Sequence, residues 1–470
     1  MAHNTKTMEP EFTSSIVNPA TGKVMATVPI ALDQDIEKAV CDAKRGRAIA
    51  KSLSRAERAR VLMTVAELVQ SRAEKFAKTI VMESGKTIRQ ARKEVARCVN
   101  TLTLSAEEAK RLAGEVIPFD SFAGNEDRDG YFLRDPLGII LAITPFNDPL
   151  NLVAHKLGPA IAAGNTVILK PSSLTPLSAL ALTECFHEAG LPKEVLCVVT
   201  GDGATGDVLV RHPEIAMVSF TGGSQTGEKI TRAAGLKRMS MDLGGNAPVI
   251  VMPDADIADA VDACVSGAFW ASGQNCIGTQ RIFCHGDVFE QFLTLFKNAT
   301  VNLVFGDPMD DITDVGPMAS AVEAERIESW VSEAIEQGAV LVTGHKRDGA
   351  FYSPTVLTNV PENASVRCEE VFAPVVIIEA FDELSETLNK ANQPDFMLHA
   401  GIFSNDLRVI QTAIETLDVG GLMINDSSDF RFDGMPFGGS KRGSIGREGV
   451  KFAVEEMTQT KVVCFRRLAE

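Results

Sequence analysis

The chain has 470 residues, 45% hydrophobic, 23% charged and 6% aromatic, which is too long for one ordinary core and too apolar for a disordered segment. Its 46 Lys and Arg against 62 Asp and Glu give a net charge of −16. That field repels phosphate backbones and anionic headgroups, which argues against nucleic acid or a membrane as partner. The opening stretch MAHNTKTMEPEF has no apolar secretory core, and no apolar run approaches the ~20 residues of a membrane span. From about Leu32 to Ala113, charged and apolar residues alternate at spacings of three and four, predicting an amphipathic helical layer. The polar, turn-rich stretch Asp120–Asp135 predicts a hairpin or excursion. Short apolar runs then alternate with helical stretches: GIILAITP, NTVILKPS, EVLCVVTG, IAMVSFTG and APVIVMPD. This pattern predicts a doubly wound parallel sheet that takes ligands at the carboxyl ends of its strands. A second cycle begins near Val261, with QRIFCHG, AVLVTG, PVVIIEA and LHAGIFS, and the boundary between the two falls between Asn246 and Asp256.

Nine cysteines, an odd number without a C-x-x-C pair, fit neither a closed disulfide framework nor a zinc ribbon, and a reducing cytoplasm is the expected compartment. A G-x-G-x-x-G stands at Gly201, Gly203 and Gly206 after a strand. It reads as a dinucleotide turn or as a glycine-rich connection, because the next strand ends without the acid that would hold a ribose. A second glycine loop, Phe220 to Gly227, lies between a strand and a helix whose first amides suit a phosphate, or is simply a capped turn. Cys276, in SGQNCIG, is flanked by glycines that let backbone approach a substrate, whereas the other eight cysteines read as small buried apolar groups. No second His stands four residues from His155 and no His/Cys cluster suggests a metal. Neither G-x-S-x-G nor H-E-x-x-H occurs.

Taken in order, TPFN (144–147), ILKPSS (168–173), SFTGGSQTG (219–227), DLGG (242–245), GQNC (273–276), EEVFAPV (369–375) and MPFGGSKRGSIGREG (435–449) resemble the aldehyde dehydrogenase superfamily over essentially the whole chain. NDPLNLVAHK and INDSSDFRFDG look most like its lactaldehyde, phosphonoacetaldehyde and succinic-semialdehyde branch. The resemblance implies an α/β fold: a Rossmann-like cofactor domain (1–115 and 135–245), a catalytic domain (246–450) and a β oligomerisation flap (116–134 and 451–470). It also implies a homodimer or homotetramer. Cys276 is then the nucleophile, Asn147 the oxyanion donor and Asp242 the general base. Lys170, Ser173, Gly201, Gly203, Gly223, Ser224, Gly244, Glu370 and Phe372 would bind NADP or NAD. Ser173 stands where NAD-preferring relatives carry a glutamate, and this favours NADP. Arg97, Asp148, His155 and Arg431 would face the substrate, with His155 in place of a tunnel aromatic.

Two departures from the pattern bear on chemistry. Asp242 replaces a glutamate, shortening the base by one methylene, and Asn275 replaces the arginine that phosphonate-specific relatives carry before the nucleophile. The expected reaction is oxidation of a small polar or monoanionic aldehyde to its acid. Acyl transfer to coenzyme A, phosphonoacetaldehyde oxidation, and cofactor binding without turnover are the alternatives.

Overall fold

A computed structural model describes residues 12–468; the stretch read for a secretory leader and the last two residues of the expected flap lie wholly or largely outside the described residues. A hairpin of β1 (Thr13–Val17) and β2 (Val24–Pro29) precedes four helices: α1 (Asp33–Ser52), α2 (Arg55–Ser71), α3 (Ala73–Ser84) and α4 (Ile88–Arg111). The Ser-x-x-Glu at Ser54–Glu57 starts α2 as a capping box: Ser54 Oγ accepts the Glu57 amide at 3.2 Å, and Glu57 accepts the Ser54 amide at 2.7 Å. Next come β3 (Glu115–Val116), β4 (Arg128–Pro136) and the core strands β5 (Ile139–Ile143), β6 (Thr166–Lys170), β7 (Leu196–Val198), β8 (Ile215–Thr221) and β9 (Arg238–Asp242). Their connections are α5 (Asn151–Ala162), α6 (Pro176–Glu188), α7 (Gly203–Arg211) and α8 (Ser224–Ala234).

Strands β5 to β9 pair in parallel in the order β9-β8-β5-β6-β7. Both faces are covered, which is why the strands read as unbroken apolar runs. Ile140, Ala142, Val167 and Leu169 pack against α2, α4, α5 and α6, while Ile139, Leu141 and Ile168 pack against α1 and α7. Every residue of α5 is buried. The expected helical layer and doubly wound sheet are both present. Strand β9, which carries Asp242, and the hairpin β1–β2 are elements that the apolar-run pattern does not pick out.

The second sheet uses β10 (Ala247–Val251), β11 (Thr279–His285), β12 (Val340–Thr343), β15 (Thr355–Thr358), β16 (Val375–Phe381), β18 (His399–Phe403) and β19 (Gly421–Ile424). Its order is β12-β15-β16-β11-β10-β18-β19, with β12 alone antiparallel. Helices α9 (Ile257–Phe269), α10 (Gly286–Val301) and α11 (Ala321–Glu336) cover it. Two short pairs decorate it: β13 (Arg347–Asp348) with β14 (Phe351–Tyr352), and β17 (Phe396–Met397) with β20 (Ser440–Lys441). Near the end of the chain β21 (Ser444–Ile445) returns to pair with β9 in the first sheet, and β22 (Thr458–Arg466) lies antiparallel along β4. Among the described residues no helix is long and apolar enough to cross a membrane.

Arg281 on β11 is 4% exposed and ties the sheet to the two connections beside it with no carboxylate partner among the described residues. Its guanidinium donates to Asn246 Oδ1 at 2.6 Å, Asn246 O at 3.0 Å, Ala391 O at 3.0 Å and Lys390 O at 3.1 Å. Arg281→Met strands these buried acceptors and should destabilise the chain by about 3 kcal/mol. A chemical-denaturation midpoint unchanged from wild type would contradict this.

Candidate active site

The first sheet reverses its strand order at β5, with β6 and β7 on one side and β8 and β9 on the other. In such sheets the crevice beyond the carboxyl ends of the strands at the reversal receives the ligand. Four strands deliver the residues singled out from sequence to that edge. β5 runs into Asn147, β6 ends at Lys170, β8 leads through Gly223 into α8 at Ser224, and β9 ends at Asp242.

This crevice has the features of a dinucleotide site. α8 opens at Ser224 with Gly223 as its cap, and the space where a Gly223 side chain would stand is open, so a phosphate can approach the unpaired first amides. Lys170 is buried, and its ammonium donates only to Pro171 O, at 3.3 Å, among the described residues. Burial pulls its pKa down, and donors remain free for ribose hydroxyls. Ser173, Gly201 and Asp202 line a narrow slot beside it. The G-x-G-x-x-G itself is a helix cap: Asp202 accepts the amides of Ala204 at 2.9 Å and Thr205 at 3.3 Å. It follows β7 at the sheet edge, so its glycines border the crevice without forming the turn at the reversal.

The loop that carries Cys276 joins α9 to β11. Ala271, Ser272 and Gly273 are all left-handed, with φ of 50°, 56° and 69°. A Cβ at Gly273 would stand 2.0 Å from Ala373 O, so only glycine fits. The two non-glycine residues cost roughly 1 kcal/mol each, and Ser272 offsets this by donating to Gly316 O at 2.9 Å and Pro317 O at 3.2 Å. Asn147 Nδ2 donates to Gln274 O at 3.1 Å, and Ser428 Oγ to Ile277 O at 2.8 Å. Cys276 is therefore held from both sides. Burial, with the charge of Asp242 adding to it, pushes its thiol well above the usual range, opposed by Arg431.

Across from Cys276, Glu370 accepts the Gly245 amide at 3.2 Å. A Cβ on left-handed Gly244 (φ 83°) would come within 2.5 Å of its carboxylate. Burial raises Glu370 to about 8. Phe372 stacks edge-on against Phe146 at 5.7 Å. Asp242 is 3% exposed, and neither of its oxygens has a hydrogen-bond partner among the described residues. Burial, reinforced by Glu448, raises it to about 7. Glu448 behaves oppositely: burial opposes its charge, but Lys156 at 3.2 Å and Arg431 at 3.1 Å hold it well below the ordinary carboxylate range.

A ladder of charges then runs from α4 to the C-terminal loop. Lys86 bridges Glu94, at 2.7 Å, and Asp148. Arg97 spans Asp148 at 3.2 Å and Asp433 at 3.0 Å. Asp433 also accepts from Asn151 at 3.1 Å and lies 2.9 Å from His155 Nε2.

Cys276 opens into a cavity of about 290 Å³ whose walls include Arg97, Asn147, Asp148, Leu152, Trp270, Asn275 and Arg431. His155 is not among them, which corrects the expectation that it touches substrate. It is 1% exposed inside an all-buried helix, where its ring serves Asp433, and Trp270 and Phe430 supply the cavity's aromatic surface. The cavity also takes in Lys93, Asp426 and Asp429, which sequence reasoning passed over. Lys93 stands one helical turn before Arg97 and was legible as the same face of α4. The two aspartates sit in a loop without periodicity.

Removing the charge of Asp433 should show the ladder's contribution. Burial opposes its charge, but His155, Arg97 and Asn151 hold Asp433 below its ordinary 3.8, so its stabilisation is complete above about pH 4 and fades as pH falls further. Asp433→Asn should therefore cost about 2 kcal/mol at neutral pH, with the gap to wild type narrowing below about pH 4. A gap independent of pH in denaturant titrations would refute the assignment.

The aldehyde dehydrogenase family model matches residues 7–463. Aspartate-semialdehyde dehydrogenase 1 of Pseudomonas canavaninivorans is 54% identical over 453 residues, 96% of each chain. 3-Sulfolactaldehyde dehydrogenase of Priestia megaterium is 46% identical, over 95% of this chain and 94% of the relative. The crystal structure of glyceraldehyde-3-phosphate dehydrogenase GapN of Methanocaldococcus jannaschii, complexed with NADP, superposes with a TM-score of 0.93 at 39% identity, covering 96% of this chain and 99% of that one. With the reversal-point crevice and the clamped cysteine loop, these matches establish that the chain belongs to the aldehyde dehydrogenase family and is an NAD(P)-dependent oxidoreductase.

Proposed function

We propose that the chain oxidises a short, polar, negatively charged aldehyde to its carboxylic acid, with Cys276 as nucleophile. The observation that carries this reading is the setting of Cys276: a half-buried thiol on a polar cavity, with Asn147 tethered beside it and the unpartnered Asp242 carboxylate near enough to oppose its ionisation. The sulfur, its proton released to solvent, attacks the carbonyl carbon. The Asn147 amide and the Cys276 backbone N–H supply donors where the oxygen becomes negative. NAD(P), when bound, accepts the aldehyde hydrogen as hydride. Lys170, Ser173, Gly201, Gly203, Gly223, Ser224, Gly244, Glu370 and Phe372 would hold it, from the adenosine end to the nicotinamide end. Asp242 then deprotonates the water that frees the acid from its Cys276 thioester.

A carboxyl with a pKa of about 7 is a competent base at neutral pH, which supports hydrolysis over transfer to coenzyme A despite the shorter side chain. The relatives are named for aspartate semialdehyde and 3-sulfolactaldehyde, both short aldehydes with an anionic group. A dianionic phosphonate is less well served, because the Arg97 guanidinium is already shared between Asp148 and Asp433. Exposed Ser173, with no acid in its place, supports a preference for NADP over NAD. The apolar surface of the β3–β4–β22 sheet, with Val116, Tyr131, Leu133, Val462 and Phe465 exposed, supports a homodimer or homotetramer.

Because Asp242 is protonated below about pH 7, steady-state turnover should fall about tenfold per pH unit below that value. Asp242→Ala should abolish steady state at every pH while leaving a single-turnover burst of reduced nicotinamide. Stopped-flow traces across about pH 5.5 to 8.5 check both, and sustained turnover by Asp242→Ala would remove it as the base. Ser173→Glu should lower the ratio of kcat/KM for NADP over NAD by at least about tenfold, and an unchanged ratio would disprove the ribose assignment.

A further inference from the structure

Strands β5 and β6 end in the two loops on which the proposed chemistry depends. Residues 144–150 carry Asn147 into α5, and residues 171–175 carry Ser173 into α6. A helix leaves its first amides without intrahelical partners, and neither α5 nor α6 is capped by its own N-cap side chain. Both are capped from a distance. Glu94, on α4, accepts the amides of Leu150 at 2.8 Å and Asn151 at 3.1 Å through one oxygen, while its other oxygen receives Lys86 at 2.7 Å. Glu83, at the end of α3, accepts the amides of Leu177 at 2.7 Å and Ser178 at 2.9 Å, together with the Ser178 hydroxyl.

All three charged groups are interior: Glu83 is 1% exposed, Glu94 2% and Lys86 5%. A Ser, Thr, Asp or Asn at either N-cap would satisfy the same amides without burying a charge, so helix stability alone does not call for these glutamates. Burial raises Glu83 to about 7 against the bonds from Ser178 and Leu177, and Glu94 adds to the rise. The turn between α3 and α4 makes further contacts. Lys86 bridges to Asp148, the neighbour of Asn147. Gly85 is left-handed (φ 79°), and a Cβ there would stand 2.9 Å from Pro317 O, one of the two carbonyls that receive the Ser272 hydroxyl of the Cys276 loop. Thr175 Oγ1 donates to Phe146 O at 3.4 Å, which ties the two strand-end loops to each other.

We propose that the end of α3 and the start of α4 form a positioning clamp for the reaction: Glu94 with Lys86 sets the loop of the oxyanion donor Asn147, and Glu83 sets the loop that carries Ser173 to the cofactor ribose. The Gly85 contact registers both against the Cys276 loop. This rests on the reading of Cys276, Asn147 and Ser173 given above, and it adds residues that touch neither substrate nor cofactor. Asn147 stands three residues before the first amide that Glu94 holds, and Ser173 four before the first that Glu83 holds. Loosening one cap therefore displaces one loop and spares the other. A donor misplaced by about 1 Å costs up to about a hundredfold in rate, whereas a loosened ribose loop costs cofactor affinity.

The test takes two readouts on the full chain: the rate of the first-turnover burst of reduced nicotinamide at saturating cofactor, with lactaldehyde and with 4-oxobutanoate, and the Kd for NADPH and NADH from their fluorescence. Glu94→Gln should slow the burst by at least about tenfold and leave both Kd values within about twofold of wild type. Glu83→Gln should raise the Kd values by at least about fivefold and leave the burst within about twofold. If a Gln variant does not fold, Glu94→Asp and Glu83→Asp, which retract each carboxylate by one methylene, should show the same split. Two variants that lose burst rate and affinity by equal factors would overturn the proposal, because general loosening predicts that result, and so would a folded variant with both readouts unchanged. Asn147→Ala, run in parallel, separates the proposal from the reading beneath it. An unslowed burst there removes Asn147 as oxyanion donor and the Glu94 arm with it, as does the absence of reduced cofactor from wild type with either aldehyde. The Glu83 arm is then decided by cofactor affinity alone.

Discussion

The interior around Cys276 holds more carboxylates than cations to balance them, and the allocation of those cations sets the chemistry of the whole site. Asp433 receives Arg97 and the His155 ring, and Glu448 receives Lys156 and Arg431, so both stay ionised despite burial. Among the described residues Asp242 and Glu370 receive no cation in contact, and burial raises them to about 7 and about 8. The division follows from helical geometry. His155 and Lys156 are neighbours on α5 and point to different acids, one in the C-terminal loop and one before its last helix. A fully apolar α5 would pack the same sheet, but Glu448 would then lose Lys156, take up a proton more readily and no longer raise Asp242 to the same extent.

Much of this was legible in the sequence, and the exceptions have physical causes. The helical layer declares itself by its period, and the central strands by their apolar runs, because both faces of their sheets are covered. Strand β9 does not: RMSMD carries charge at both ends, since Arg238 meets solvent and Asp242 is buried at the crevice. The motif residues reached the crevice because glycine loops and strand ends keep their meaning wherever the sheet reverses. His155 illustrates the opposite case. Its place in a motif suggested contact with substrate, but a helix buried all round has no face that must point into the cavity. Ion pairs between residues hundreds of positions apart, such as Arg97 with Asp433, leave no local pattern at all.

The Cys276 loop balances local strain against tertiary contact. Two left-handed non-glycine residues would relax if freed, and carbonyls from a distant segment of the second sheet's domain hold them through Ser272. The same loop is met by Asn147 from the first sheet and by Ser428 from the C-terminal segment. Asn147, Cys276 and the C-terminal segment that carries Ser428 thus share one junction, tied by hydrogen bonds from both sheets' sides.

The clamp on Asp433 also orders events during synthesis. Its partners Arg97 and His155 precede it by 336 and 278 residues, and Glu448 lies 292 residues after Lys156. While the ribosome is still making the second sheet, α4 and α5 already carry Arg97, His155 and Lys156 in or beside the first core, before Asp433 and Glu448 are made. The nascent chain must keep these groups hydrated, in a loosened helix packing, until the last stretch threads back, because closing so long a loop is slow and gains nothing before the final contacts form. The charged interior around Cys276 is therefore completed only by the last stretch of chain to be made.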